Sequence, residues 1–92
     1  MSDFLTQLTV LIADRKANPK PGSYTNTLLN DKAKAAQKVG EEATEVVVAA
    51  LAQSDERLVE EMADLVYHSL VLLQTRNLNW NDVVTALENR HK

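Results

Sequence analysis

A chain of 92 residues, 45% hydrophobic and 25% charged, has the size of one small domain, read here as residues 1–92. A domain of this size often needs a staple or a partner, and the lack of Cys excludes disulfides and thiolate metal sites. A net charge of −3 and a pI near 5.3 argue against a general nucleic-acid binder. The start, Met1-Ser2-Asp3-Phe4, has no basic segment leading into an apolar core, and the apolar-rich run Leu65 to Leu73 is too short to span a bilayer. The expectation is a cytoplasmic protein with neither a membrane nor a nucleic-acid partner.

Taken in order, residues ~3–16 read as an amphipathic helix. Phe4, Leu8, Leu11 and Ile12 share its face, and Ser2 or Asp3 caps it. Asn18-Pro19-Lys20-Pro21-Gly22 breaks the chain, and residues ~17–31 are expected to be a long, hydroxyl-rich connection. A second helix is expected over ~32–52, capped by Asn30 or Asp31, with Ala35, Ala36, Val39, Ala43, Val46, Val47 and Ala50 as its apolar stripe. Gly40 inside it implies either a tight helix crossing or the approach of a ligand to the backbone. After a turn at Gln53-Ser54-Asp55, a third helix over ~55–76, capped by Ser54 or Asp55, has Leu58, Met62, Leu65, Val66, Ser69, Leu72 and Leu73 on its main face. Leu70 and Val71 point away from that face, so this helix needs cover on every side, which implies a homo-oligomer, most simply a dimer. A short helix of ~12 residues starting at Asn79-Trp80 completes the chain. The fold class is all-α, a bundle of four main helices completed by dimerisation.

The chemistry lies in two acidic faces. Helical geometry puts Lys38, Glu41, Glu42 and Glu45 within an arc of about 100°. On the next helix Glu61 and Asp64 are i,i+3 neighbours, with His68 one turn further along. A tight turn joins the two helices, so the faces can meet across an antiparallel pair, within one chain or across a dimer. Such crowding of carboxylates is unfavourable unless a cation compensates, and oxygen-only ligands select Mg²⁺, Mn²⁺ or Ca²⁺. The bland alternative is a solvated helix face. His68 has Leu65, not Glu, three residues before it, so the Glu-x-x-His pairs of di-iron bundles are missing, and so is a Gly-rich phosphate loop. Cations precede the acids: Arg15, Lys16, Lys20, Lys32, Lys34 and Lys38, against Asp31 alone. A polarised site of that kind suits a metal-bound phosphate compound.

Glu-Glu-x-x-Glu at 41–45 followed by Glu-x-x-Asp at 61–64 resembles the metal signature of the all-α nucleoside triphosphate pyrophosphatases, the MazG-like superfamily. Arg15, Pro21-Gly22-Ser23-Tyr24-Thr25, Lys38-Val39-Gly40-Glu41-Glu42-Ala43-x-Glu45 and Glu61-x-Ala63-Asp64-Leu65-x-Tyr67-His68, in that order, resemble the phosphoribosyl-ATP pyrophosphatase family over nearly the whole chain. The segment Asp31 to Gln37 departs from the family pattern in being Lys- and Ala-rich. Family members are often fused to a cyclohydrolase, for which this chain has neither the length nor the Cys.

The resemblance implies Mg²⁺-dependent hydrolysis of phosphoribosyl-ATP, a nucleotide of histidine biosynthesis, to phosphoribosyl-AMP and pyrophosphate. It implies Glu42, Glu45, Glu61 and Asp64 as Mg²⁺ ligands, with Mn²⁺ as a substitute. Arg15, Ser23, Tyr24 and Thr25 are then expected to hold phosphate and ribose oxygens. Glu41, on the other side of the arc, is assigned to a water, as general base or as ligand of a further ion. Lys38 is expected to contact phosphate in preference to forming a helix salt bridge with Glu42. His68 is expected either behind the metal ligands or as a bundle histidine bonded to Asp64 or Ser69. The rival readings are a house-cleaning pyrophosphatase acting on other nucleotides and a non-enzymatic helical dimerisation module.

Overall fold

The computed structural model describes residues 3–92, and these contain helices and no strand. The helices are α1 (Phe4–Ala17), α2 (Tyr24–Leu29), α3 (Lys32–Ala52), α4 (Asp55–Thr75) and α5 (Trp80–Arg90). Each starts at a short polar side chain. Asp3, Ser23, Asp31, Ser54 and Asn79 each accept a hydrogen bond from the backbone N–H three residues on. Asp31 and Ser54 are thus the caps, not Asn30 or Asp55, and the alternative Ser2 lies outside the described residues. Asn79 and Asp82 bond each other's backbone reciprocally.

Part of the connection expected over 17–31 folds into α2, a short helix added to the four main ones expected. A turn starts it: the Ser23 N–H donates to the Lys20 carbonyl at 3.1 Å, across Pro21 and Gly22. Gly22 has φ +78°, which glycine adopts without strain and which fits the third position of a type II turn. Asn26 then fastens α2 to α1. Its buried amide donates to the Arg15 carbonyl at 2.7 Å, and its oxygen accepts the Lys20 N–H at 2.9 Å. Six residues are too few to show helical periodicity, so only the turn and cap residues mark this helix.

The longest contact is between α3 and α4, 21 residues each, joined through Gln53 and Ser54 and lying antiparallel. α4 is the central element, touching α1, α2 and α3. Its Leu70 and Val71 are fully buried with Ile12, Leu28 and Ala35. The chain's own helices therefore cover the side of α4 that was expected to need a second copy. At the end of α4, Asn77 adopts φ 60° and the Leu78 N–H reaches back to the Leu73 carbonyl at 2.9 Å. Lys16 of α1 donates to the Gln74 carbonyl there at 2.7 Å, a cation at a helix C-terminus.

Two faces differ from the sequence reading. On α1, Ile12 is buried and Leu8 half-buried, but Phe4 and Leu11 face solvent. On α3 the buried positions are Ala35, Glu42 and Ala49, with Val39 and Val46 partly covered, while Ala36, Val47 and Ala50 are exposed. The stripe is rotated so that Glu42 lies inside it. On α4 the covered positions Leu58, Glu61, Leu65, His68 and Leu72 follow one stripe, Glu61 meeting Glu42 and Glu45 of α3, and Met62 is exposed outside it.

Candidate metal centre

The rotation of both stripes decides the site. Ala35, Val39, Glu42, Val46 and Ala49 are spaced four, three, four and three apart, as are Leu58, Glu61, Leu65, His68 and Leu72 with the order reversed. This is the spacing of a packing seam between two helices. One seam position on each helix is a glutamate. Glu42 is 6% and Glu61 5% exposed, and one carboxylate oxygen of each, Oε2, is buried with no hydrogen-bond partner. Orphaned buried acceptors of this kind are costly and call for a ligand.

Glu45, one turn from Glu42 and exposed, completes a group. Ligand atoms of Glu42, Glu45 and Glu61 all lie within 4.8 Å of one another. Three carboxylates cannot donate to each other, so a proton on Glu45 is the cheapest relief. A protonated Glu45 can donate to Glu61 or Glu42, and that, with the charges of both, pushes the Glu45 carboxyl up to about 7. Three close oxygen donors, two of them buried and orphaned, form a site that could hold a hard metal ion. The fourth expected ligand, Asp64, is exposed and lies outside this close group.

Two cations bracket the acids. The Lys38 Nζ lies 3.5 Å from both Glu41 and Glu42. Burial opposes its charge, but Tyr24, Glu41 and Glu42 outweigh burial and raise its pKa. Lys38 therefore makes the salt bridge to Glu42 weighed from the sequence, and it does so at the edge of the site. On the other side Arg57 donates to Glu61 at 2.6 Å and to Glu60 at 2.8 Å. Arg57 escaped the sequence reading. Its signal was the i,i+4 spacing to Glu61, which on its own marks only a surface pair. Glu41 is exposed and outside the group, accepting a bond from Gln37 at 2.9 Å.

The segment around α2 reaches the same region. His68 is buried, and its Nδ1 lies 2.7 Å from the Asp64 carbonyl, which can only accept, so Nδ1 carries the proton. Its Nε2 then accepts the Tyr24 hydroxyl at 3.0 Å. His68 is thus bonded to Asp64, by the backbone, and links α4 to α2. The Thr25 hydroxyl bonds the Tyr67 hydroxyl. The Ser23 hydroxyl serves as the cap of α2. Arg15 pairs with Asp14 at 3.6 Å, and the structure does not bring it to the carboxylates. Nothing lies within 4 Å of where a Cβ on Gly40 would stand, which rules out a tight helix crossing there.

A family model described as phosphoribosyl-ATP pyrophosphohydrolase matches residues 5–91. The chain belongs to that family. It is 40% identical over 95 residues to the phosphoribosyl-ATP pyrophosphatase of Methanocella arvoryzae, covering all of both chains. The pyrophosphatase of the same name from Sulfolobus acidocaldarius is 47% identical over 94 residues, covering 100% of this chain and 99% of its own. The histidine biosynthesis bifunctional protein HisIE of Vibrio cholerae is 50% identical over 90 residues, and the match spans 97% of this chain but only 43% of that protein. Family membership makes the chain a hydrolase of the diphosphatase kind in histidine biosynthesis. Among the described residues no helix is long and apolar enough to cross a membrane.

Proposed function

We infer that this protein hydrolyses phosphoribosyl-ATP to phosphoribosyl-AMP and pyrophosphate as a cytoplasmic enzyme, with Mg²⁺ at the carboxylate group and Mn²⁺ able to replace it. The observation that carries the reading is the pair of orphaned, buried glutamate oxygens beside Glu45, in a chain of this family. Glu42, Glu45 and Glu61 would hold the ion, and Asp64 is within one helical turn of Glu61 as a further ligand. The ion supplies charge that neutralises and orients the triphosphate.

The chain's own groups do the rest. Glu41 takes the proton of a water that adds to the α-phosphorus, breaking the bond to the bridging oxygen and releasing pyrophosphate. Lys38, held beside Glu41 and Glu42, lends positive charge to the phosphate under attack. Tyr24 and Thr25, fixed through His68 and Tyr67, and Ser23 at the cap of the same helix are assigned to ribose and phosphate oxygens, and so is Arg15, whose backbone carbonyl fastens Asn26 of α2. His68 acts behind the ligands by fixing Tyr24.

The working form is proposed to be a homodimer. On α3 and α4, Leu51 is 83% and Val59 67% exposed, and Val47, Val48 and Met62 are also uncovered. A second copy would remove this apolar surface from water. The test of function is pyrophosphate release with Mg²⁺ from phosphoribosyl-ATP set against a panel of ordinary and modified nucleoside triphosphates. Release confined to phosphoribosyl-ATP is expected. Release from the panel instead would keep the site and overturn the substrate.

A further inference from the structure

Arg57 stands at the end of the carboxylate group that faces the α3–α4 turn. With Glu45 beside Glu61, the antiparallel pair puts Arg57 roughly 6 Å along the axis from Glu61 toward the turn. It puts Lys38 roughly 10 Å from Glu45 in the opposite direction. The acids therefore have one cation at each end. A cavity of about 190 Å³ opens on the Arg57 side, lined by Glu45, Val48, Gln53, Arg57 and Glu61. It offers two of the carboxylates, a planar cationic fork and a side-chain amide. Lys38 is not among its walls.

A surface ion pair of an arginine with two glutamates, at i+3 and i+4, contributes little to stability. This one differs in its partner. Glu61 is buried, and its second oxygen is orphaned inside the carboxylate group, so the guanidinium spans the boundary between the site and the open cavity. Arginine suits two phosphate oxygens at once, and its charge does not depend on pH. A triphosphate lying along the carboxylates has its two ends at different cations.

We propose that Arg57, with Gln53, forms the subsite for the pyrophosphate half of the substrate, which makes it a residue that binds the leaving group. The proposal rests on the reading of the carboxylates as a Mg²⁺ site. Lys38 then serves the end of the substrate next to Tyr24, and the polarity of the bound triphosphate is fixed, its terminal phosphates directed to the α3–α4 turn.

The experiment is calorimetric titration of the whole chain, first with MgCl₂ alone and then with inorganic pyrophosphate at saturating Mg²⁺. Wild type, Arg57→Gln and Arg57→Lys are compared. The proposal expects Arg57→Gln to bind pyrophosphate about tenfold or more weakly, the loss of one charge-assisted contact, while Mg²⁺ alone binds as tightly as before or more tightly. Arg57→Lys should fall between the two. If Arg57 merely held Glu61 in place, Arg57→Gln would weaken Mg²⁺ and pyrophosphate together, and that result overturns the proposal. Unchanged pyrophosphate binding in both variants overturns it as well, as does wild type that binds Mg²⁺ but no pyrophosphate. Failure of the underlying reading is separately visible as a wild-type chain that binds no Mg²⁺.

Discussion

Glutamates at two seam positions leave the metal-free protein with a local conflict, and Glu45 shows it. Its carboxyl is pushed up to about 7 from 4.5 because a proton there can bond Glu61 or Glu42 and relieves the repulsion from their charges. A folded-state pKa above the unfolded one means that the native state binds the extra proton. Stability from this source is full below about 4.5 and is lost as pH rises through about 7. Without divalent ions, the melting temperature should therefore fall between pH 5 and pH 8, and Glu45→Gln should flatten that dependence. A wild-type melting temperature independent of pH over this range would contradict the electrostatic account. At Gly40 no atom crowds a new Cβ, so Gly40→Ala should stabilise the helix by about 0.5–1 kcal/mol in chemical denaturation. A destabilised variant would show a constraint that the open space does not reveal. These residues were legible to different degrees. Glu42, Glu45 and Glu61 stand out in the sequence by spacing. Their seam positions do not, because a carboxylate in a packing seam looks like the polar edge of the stripe beside it.

At the scale of elements, the long helices were readable because 21 residues of periodic pattern between polar caps outweigh any local ambiguity. α2 was not, since its six residues hold together through the Pro21-Gly22 turn, the Ser23 cap and Asn26 rather than through a stripe. Asn26→Ala should accordingly cost about 1–3 kcal/mol, because the Arg15 carbonyl and the Lys20 N–H each lose a buried partner. The same change should loosen Tyr24 from His68 and impair substrate binding, measured as a raised KM. A variant with unchanged denaturation midpoint would show that α2 is held by Leu28 alone. The rotation of the α3 stripe has a comparable cause. Its alanines give little hydrophobic contrast, so Ala49 and Ala50 are equivalent in sequence, and only the fit against α4 selects Ala49 for burial.

For the whole molecule, the argument from α4 to a dimer changes its footing. Leu70 and Val71 are covered by α1 and α2, and the surface that a second copy would bury is instead Val47, Leu51 and Val59 near the α3–α4 turn. Light scattering at micromolar concentration should give a dimer mass, and Leu51→Glu with Val59→Glu should give a monomer. A wild-type monomer would reject the assembly. The central claim is that two buried glutamates and Glu45 are arranged for a divalent ion at the expense of the metal-free fold. The most direct test is the melting temperature of wild type and Glu61→Gln at pH 8, each with and without Mg²⁺. The account predicts a crossover: without Mg²⁺ the variant melts at or above wild type, since a repulsion is removed, while Mg²⁺ raises wild type and leaves the variant nearly unmoved. Equal Mg²⁺ shifts in both proteins, or none in wild type, would contradict it.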